Sequence, residues 1–205
     1  MADVQLVETS LRDGNQSLWG ASASTRWWNA MLVATPNTPL QFMSTGFRFI
    51  SWETASPEFM ELAFATLVRN GIRRFCLADP MNDAQANATC ARMAKRVGGE
   101  YVIAALVYTL SPFHDDAHYV QCARLLAACP DVDALYIKDP GGLLTPARAA
   151  TLIPAIMAVI GDKPLELHAH CTIGLADMVY ADAPAMGVSA LQVASGAAAE
   201  GTSNP

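Results

Sequence analysis

From Pro39 onward the sequence keeps one rhythm, in which short β-rich runs alternate with longer Ala-rich stretches. Strands are expected at 39–44, 73–78, 101–108, 134–138, 164–168 and 190–194. Between them, helices are expected at 57–70, near 84–96, at 115–128, from Pro146 onward and near 175–185. Ser56 before Pro57 and Thr145 before Pro146 carry the signature of an N-cap followed by proline in the first turn. Strands separated by helices of this length imply βαβ units and a parallel sheet, and a long series of same-handed crossovers favours closure into a barrel.

The beginning breaks the rhythm. Residues 4–8 read as a first strand running into Leu11-Arg12-Asp13-Gly14, whereas 19–36 holds one short helical piece around 27–34 and no second strand. The expected fold is therefore an α/β barrel of the TIM (β/α)8 type with seven strands. One βα unit is missing near 21–25, and a final helix is missing after 190–194. A complete barrel typically takes roughly 250 residues, so the 205 residues are expected to form one truncated domain, 1–205.

Hydrophobic residues make up 52% of the chain and charged residues 16%, ample for a packed interior. A net charge of -6 excludes a general nucleic-acid surface, which needs clustered Lys and Arg. There is no basic-then-apolar leader at 1–5, and no apolar run reaches the ~18 residues of a membrane helix. The expectation is a cytoplasmic protein with no direct membrane insertion. The five cysteines form no CxxC pair and are expected as reduced, mostly buried thiols.

Chemistry concentrates at the expected strand ends. In His168-Ala169-His170 the two imidazoles lie two residues apart, so a strand points both to one face, at the end where barrels place their sites. Neutral imidazoles suit zinc, manganese, cobalt or iron, but a metal needs a further ligand. Asp13, just after the first strand, falls on the same rim. Alone it reads as a turn or cap residue, and the histidines alone as ordinary polar residues. Lys138, in Lys138-Asp139-Pro140-Gly141-Gly142, is either a cation that anchors substrate or a buried amine that takes up carbon dioxide as a carbamate. Together these residues come from three strand ends that a barrel brings together.

Four motifs carry a family resemblance. Thr9-Ser10-Leu11-Arg12-Asp13-Gly14-Asn15-Gln16-Ser17 resembles the opening motif of biotin-dependent carboxyltransferase domains, within the wider HMG-CoA lyase-like barrel superfamily. The segment from Tyr136 to Pro146 resembles their carbamylated-lysine segment. Residues 167–172 resemble their metal strand, and Gly201-Thr202-Ser203-Asn204-Pro205 their late threonine motif. The resemblance runs from about Leu6 to Pro205, apart from a gap after Gly20. Such domains occur in pyruvate carboxylase, the transcarboxylase pyruvate subunit and the oxaloacetate decarboxylase α subunit.

The resemblance implies a divalent metal (Zn, Mn or Co) on Asp13, His168, His170 and carbamylated Lys138. It implies Gln16 beside the substrate and Thr202 as the group that shuttles a proton. The activity implied is carboxyl transfer or decarboxylation between carboxybiotin and a small oxo acid through an enolate. With no Met-Lys biotinylation motif present, biotin would arrive on a separate carrier protein or with a biotin carboxylase subunit. A homo-oligomer is compatible with this reading. Thr45 stands where relatives carry an arginine for the substrate carboxylate, and Arg48, three residues on, is the nearest replacement. Asn15 and Asn204 stand where many relatives have histidine and glutamine. Two alternatives stay open: an HMG-CoA lyase-like or acyl-CoA condensing enzyme, which lacks counterparts of Lys138 and Thr202, and an inactive barrel remnant serving as an assembly subunit. His114 and His118 read as a solvated helix face, Trp27-Trp28 as packing, and Asp79 as either a second-layer orienting group or a helix cap.

Overall fold

The computed structural model describes residues 3–14, 16, 18, 26, 30, 33–48 and 53–205. Its strands are β1 (Gln5–Glu8), β2 (Gln41–Ser44), β3 (Arg74–Leu77), β4 (Tyr101–Val107), β5 (Ala134–Asp139), β6 (Leu165–Ala169) and β7 (Ala190–Val193). The helices are α1 (Pro57–Arg69), α2 (Ala84–Arg96), α3 (Asp116–Ala127), α4 (Pro146–Met157) and α5 (Ala176–Asp182). Each of the first four begins where a side-chain oxygen receives a free backbone amide: Ser56, Asp83, Asp115 and Thr145 accept from the first turn. Such caps contribute about 1 kcal/mol each. The helix expected near 175–185 is shorter, because the chain tightens into a turn over Ala183–Met186, with Pro184 near its start, that Gly187 ends at φ 93°.

All pairings are parallel, in the order β1-β7-β6-β5-β4-β3-β2. This is the circular order of a barrel cut open between β1 and β2, where the strand rhythm of the sequence breaks. The sheet is curled, not flat. The Arg12 guanidinium, just beyond β1, reaches the Met43 sulfur on β2 at 2.8 Å. In a flat seven-stranded sheet the two edges would be about 29 Å apart at 4.8 Å per strand. The result is an incomplete α/β barrel.

Alternation along the strands sorts residues between two faces. Phe75, Leu77, Leu106, Leu135 and Leu167 face the helices in the main apolar core. Cys76, Ile103, Ala105 and Tyr136 point inward and form a smaller cluster inside the curl. Because every strand runs the same way, all their C-terminal ends share one rim. The helical piece expected at 27–34, Trp27-Trp28 and Asn15 lie wholly or largely outside the described residues. No helix among those described is long and apolar enough to cross a membrane.

Candidate metal centre

Asp13 is delivered by a wide turn, Ser10–Gly14, whose amides from Arg12 to Gly14 converge on the Thr9 carbonyl. Thr9 is itself fixed to β7, donating from its amide (2.7 Å) and hydroxyl (2.8 Å) to the Val193 carbonyl. Gly14 is needed there, since a Cβ would lie 2.5 Å from the Ala198 carbonyl oxygen. The turn brings Asp13 Oδ2 to 3.0 Å from His168 Nε2 and 3.1 Å from His170 Nε2. Among the described residues, Asp13, His168 and His170 are the one group of three such side chains whose ligand atoms lie within 4.8 Å of one another. Lys138 faces His168 directly in the β5–β6 register. Its ammonium nitrogen lies 3.3 Å from the Met43 sulfur, which also receives Arg12.

The electrostatics favour ligand-competent forms. Burial works to raise the Asp13 carboxyl, but the bonds from His168 and His170, with Arg12 at 2.5 Å, hold it well below the usual range. Burial pushes His168 down to about 4 against the pull of Asp13. Near pH 7 the pair is therefore carboxylate and neutral imidazole, the forms a metal requires. Lys138 is lowered to about 8, by burial first and then by the Arg12 charge. Lys138 thus shares a thioether with Arg12, whose other terminal nitrogen is paired with Asp13. One carboxylate and two imidazoles make a donor set that fits zinc, manganese or cobalt, with the Lys138 amine beside it.

The surroundings hold these groups in place. Gln192 on β7 bonds His168 Nδ1 at 3.1 Å and donates to Glu166 at 3.1 Å. The Tyr180 hydroxyl, from α5, receives the Ala169 amide at 2.9 Å and donates to the Gln192 carbonyl at 2.8 Å. Asn204, fully buried, joins Thr9 (2.9 Å) to the Ala169 carbonyl (2.9 Å), so the late motif ties β1 to β6. Gly142, at φ 64°, lets the lysine segment press on the histidine strand: a Cβ there would be 2.5 Å from the His170 carbonyl oxygen.

The other expected site residues are placed as follows. Thr45 and Arg48 are half-buried in the turn after β2, on the same rim. Gln16 and Thr202 are exposed, with Thr202 next to the buried Ser203 and Asn204. Asp79 receives the Met81 and Asp83 amides and so shapes the turn, while Asp83 caps α2. His114 and His118 are not a solvated face. Half-buried, their rings meet edge-on with centroids 4.7 Å apart, and His118 meets Tyr119 the same way, because the chain before α3 folds back over it. Sequence reasoning missed Gln192, Tyr180, Glu166 and Met43 as neighbours of the site. The inward parity of β6 and β7 was the one available signal, for Glu166 and Gln192.

No protein-family model matches the chain. It is 30% identical to a pyruvate carboxylase subunit of Methanocaldococcus jannaschii, across 98% of the chain and 42% of that protein. That alignment runs over 240 positions, more than the 205 the chain contains, so the relative carries sequence here that the chain lacks. The chain is 29% identical to the methylmalonyl-CoA carboxyltransferase 5S subunit of Propionibacterium freudenreichii subsp. shermanii, across 78% of the chain and 31% of that protein. In fold it matches the carboxyl transferase domain of Rhizobium etli pyruvate carboxylase, solved with pyruvate and biocytin. The TM-score is 0.91 at 22% identity, covering 99% of this chain and 42% of that one. The chain thus spans less than half the length of these relatives. It is a homologue of the carboxyltransferases of biotin-dependent carboxylases, pyruvate carboxylase among them, with the fold of their carboxyltransferase domain.

Proposed function

We propose that the protein is a metal-dependent carboxyltransferase or decarboxylase that works between carboxybiotin and a small oxo acid through an enolate. The observation that carries this reading is the convergence of Asp13, His168 and His170 within 4.8 Å at the strand ends, with Lys138 in register beside them. Asp13, His168, His170 and carbamylated Lys138 would hold the cation. A divalent cation bound there supplies Lewis acidity toward a substrate carbonyl. The lowered Lys138 supports the carbamate: its free amine forms an N–C bond to carbon dioxide and loses a proton to solvent. Arg12, at the Met43 sulfur beside Lys138, would then face the new anion.

Gln16 would hydrogen-bond the substrate, and Thr45 with Arg48 would face its carboxylate. As carboxybiotin gives up carbon dioxide, Thr202 donates a proton to the biotin nitrogen and takes one from the substrate carbon. The enolate left behind bonds to the carbon dioxide. The exposure of Thr202 supports an encounter with biotin borne on a separate carrier protein; a biotin carboxylase subunit would be the other partner, and the cytoplasm the place of action. Lys138 and Thr202 weigh against the lyase and condensing alternatives.

Elemental analysis tests the reading: about one divalent metal per chain, lost in His168→Ala, with oxaloacetate decarboxylation abolished in Lys138→Ala. A folded, metal-free wild type or unchanged turnover in Lys138→Ala overturns it. A second reading, an assembly subunit, is supported by the opening between β1 and β2, where Leu6 is 69% exposed. Metal uptake without any turnover, together with a stable complex with a carboxylase subunit, would favour that reading.

A further inference from the structure

We propose that the opening between β1 and β2 is a docking slot for a β-strand followed by an amphipathic helix, both supplied by a second polypeptide. The slot does not depend on the metal reading above. β1 and β2 are the two ends of the strand order and are not hydrogen-bonded to each other. In a parallel ladder the N–H and C=O of one residue point to the same neighbour, and those of the next residue point to the opposite side. On β1, the Gln5 and Thr9 amides donate to the Ser189 and Val193 carbonyls at 3.0 and 2.7 Å. The N–H and C=O of Leu6 and Glu8 therefore point into the opening. On β2, the Leu40 and Ser44 carbonyls receive the Arg74 and Ala78 amides, so Gln41 and Met43 present theirs from the other wall. Among the described residues, no backbone partner faces these four across the opening.

A cavity of about 570 Å3 lies between the two edges, lined along β1 from Gln5 to Thr9 and by Leu40 and Met43. Backbone donors and acceptors on both walls require a partner that can bond them in a row. An extended peptide does so and an apolar small molecule does not. Its strand would run parallel to both edges and make the ladder continuous.

A strand alone leaves the outer side uncovered. Leu6 pairs in register with the buried Leu191 of the helix-facing core, yet is 69% exposed. Phe42, beside the buried Phe75, is half-buried. The apolar face of a helix laid over Leu6 and Phe42 would cover that side. One strand with one helix is an eighth of a barrel, roughly 30 residues. The alignment with the Methanocaldococcus jannaschii subunit has 240 positions, 35 more than the 205 residues of this chain, and that surplus is of the same size.

The test uses the full chain, metal-free, with amide exchange followed residue by residue. The probe is a synthetic peptide carrying the stretch of the Methanocaldococcus jannaschii subunit that has no counterpart in this chain. One peptide is expected to bind per chain and to slow exchange at Leu6, Glu8, Gln41 and Met43 by about 10-fold or more. The amides of Gln5, Val7 and Phe42, which face β7 or β3, should slow less. Leu6→Pro removes a donor on the open side and leaves the β7 ladder intact, so it should weaken peptide binding about 10-fold. Should that variant not fold, the same peptide N-methylated at alternate strand residues takes its place and should fail to bind the wild type. Absence of binding, or an N-methylated peptide that binds as well as the parent, overturns the proposal. Slowing spread evenly along β1 overturns it in favour of an apolar ligand surface. Protection of Leu6 and Glu8 before any peptide is added overturns it too, because the slot is then already filled.

Discussion

The two faces of one sheet have opposite chemistry. The helix-facing side is apolar along its length, with Phe64 of α1 meeting Phe75 of β3 at 5.1 Å between ring centroids. The inward side mixes small or apolar residues such as Cys76 and Ala105 with the polar Glu166, Gln192, His168 and Lys138, all buried. Buried apolar area stabilises roughly in proportion to its extent, while each buried polar group costs free energy unless it is paired. Folding is therefore carried by the outer face. The inner face spends some of that stability on holding reactive groups out of water.

Three measurements can break or sharpen this contrast. Phe75→Ala should lower unfolding free energy by about 3–5 kcal/mol, since it empties the outer core. Metal per folded chain should not change; if metal affinity collapsed as well, the two faces would not be separable. Acidification acts on the inner face. Burial depresses His168 to about 4, from an ordinary value of 6.5, so between those values the unfolded chain binds the proton that the folded one refuses. Stability of the metal-free protein should then be fully present above pH 6.5 and fall by up to about 3 kcal/mol towards pH 4. His168→Gln should flatten that part of the denaturation profile. The smallest effect has the opposite sign. Lys138, depressed to about 8 from 10.5, burdens the fold below pH 8, so Lys138→Met should stabilise the metal-free protein by about 2 kcal/mol at pH 7. That gain should vanish as pH rises towards 10.5, and an unchanged or reduced stability at pH 7 would mean that Lys138 is already paired.

The rhythm of strands and helices was legible because it depends on local pattern: Ser56 and Thr145 cap the helices they were expected to cap, and α2 spans 84–96 as anticipated. The break between β1 and β2 was visible as a missing strand signal. Asp13, His168 and His170 could be found because their offsets from strand ends convert directly into a shared rim. What stayed hidden depends on neighbours distant in sequence. Gln192 is an ordinary strand residue until the β6–β7 pairing sets it beside His168. Met43 is an apolar strand residue until curling brings Arg12 and Lys138 to its sulfur. The partial burial of the edge-on His114–His118 pair likewise depends on how the loop before α3 folds, which spacing alone does not encode.

Asp13 follows the edge strand β1, while its histidine partners belong to the interior of the sheet, 157 residues away at His170. An ion gripped by both would act as a cross-link closing a loop of most of the chain, the kind of tie that removes much freedom from the unfolded ensemble. Chelation should therefore do more than silence chemistry: it should release the rim beside the opening first, and the amides around β1 should lose protection from solvent exchange before those of β4 and β5.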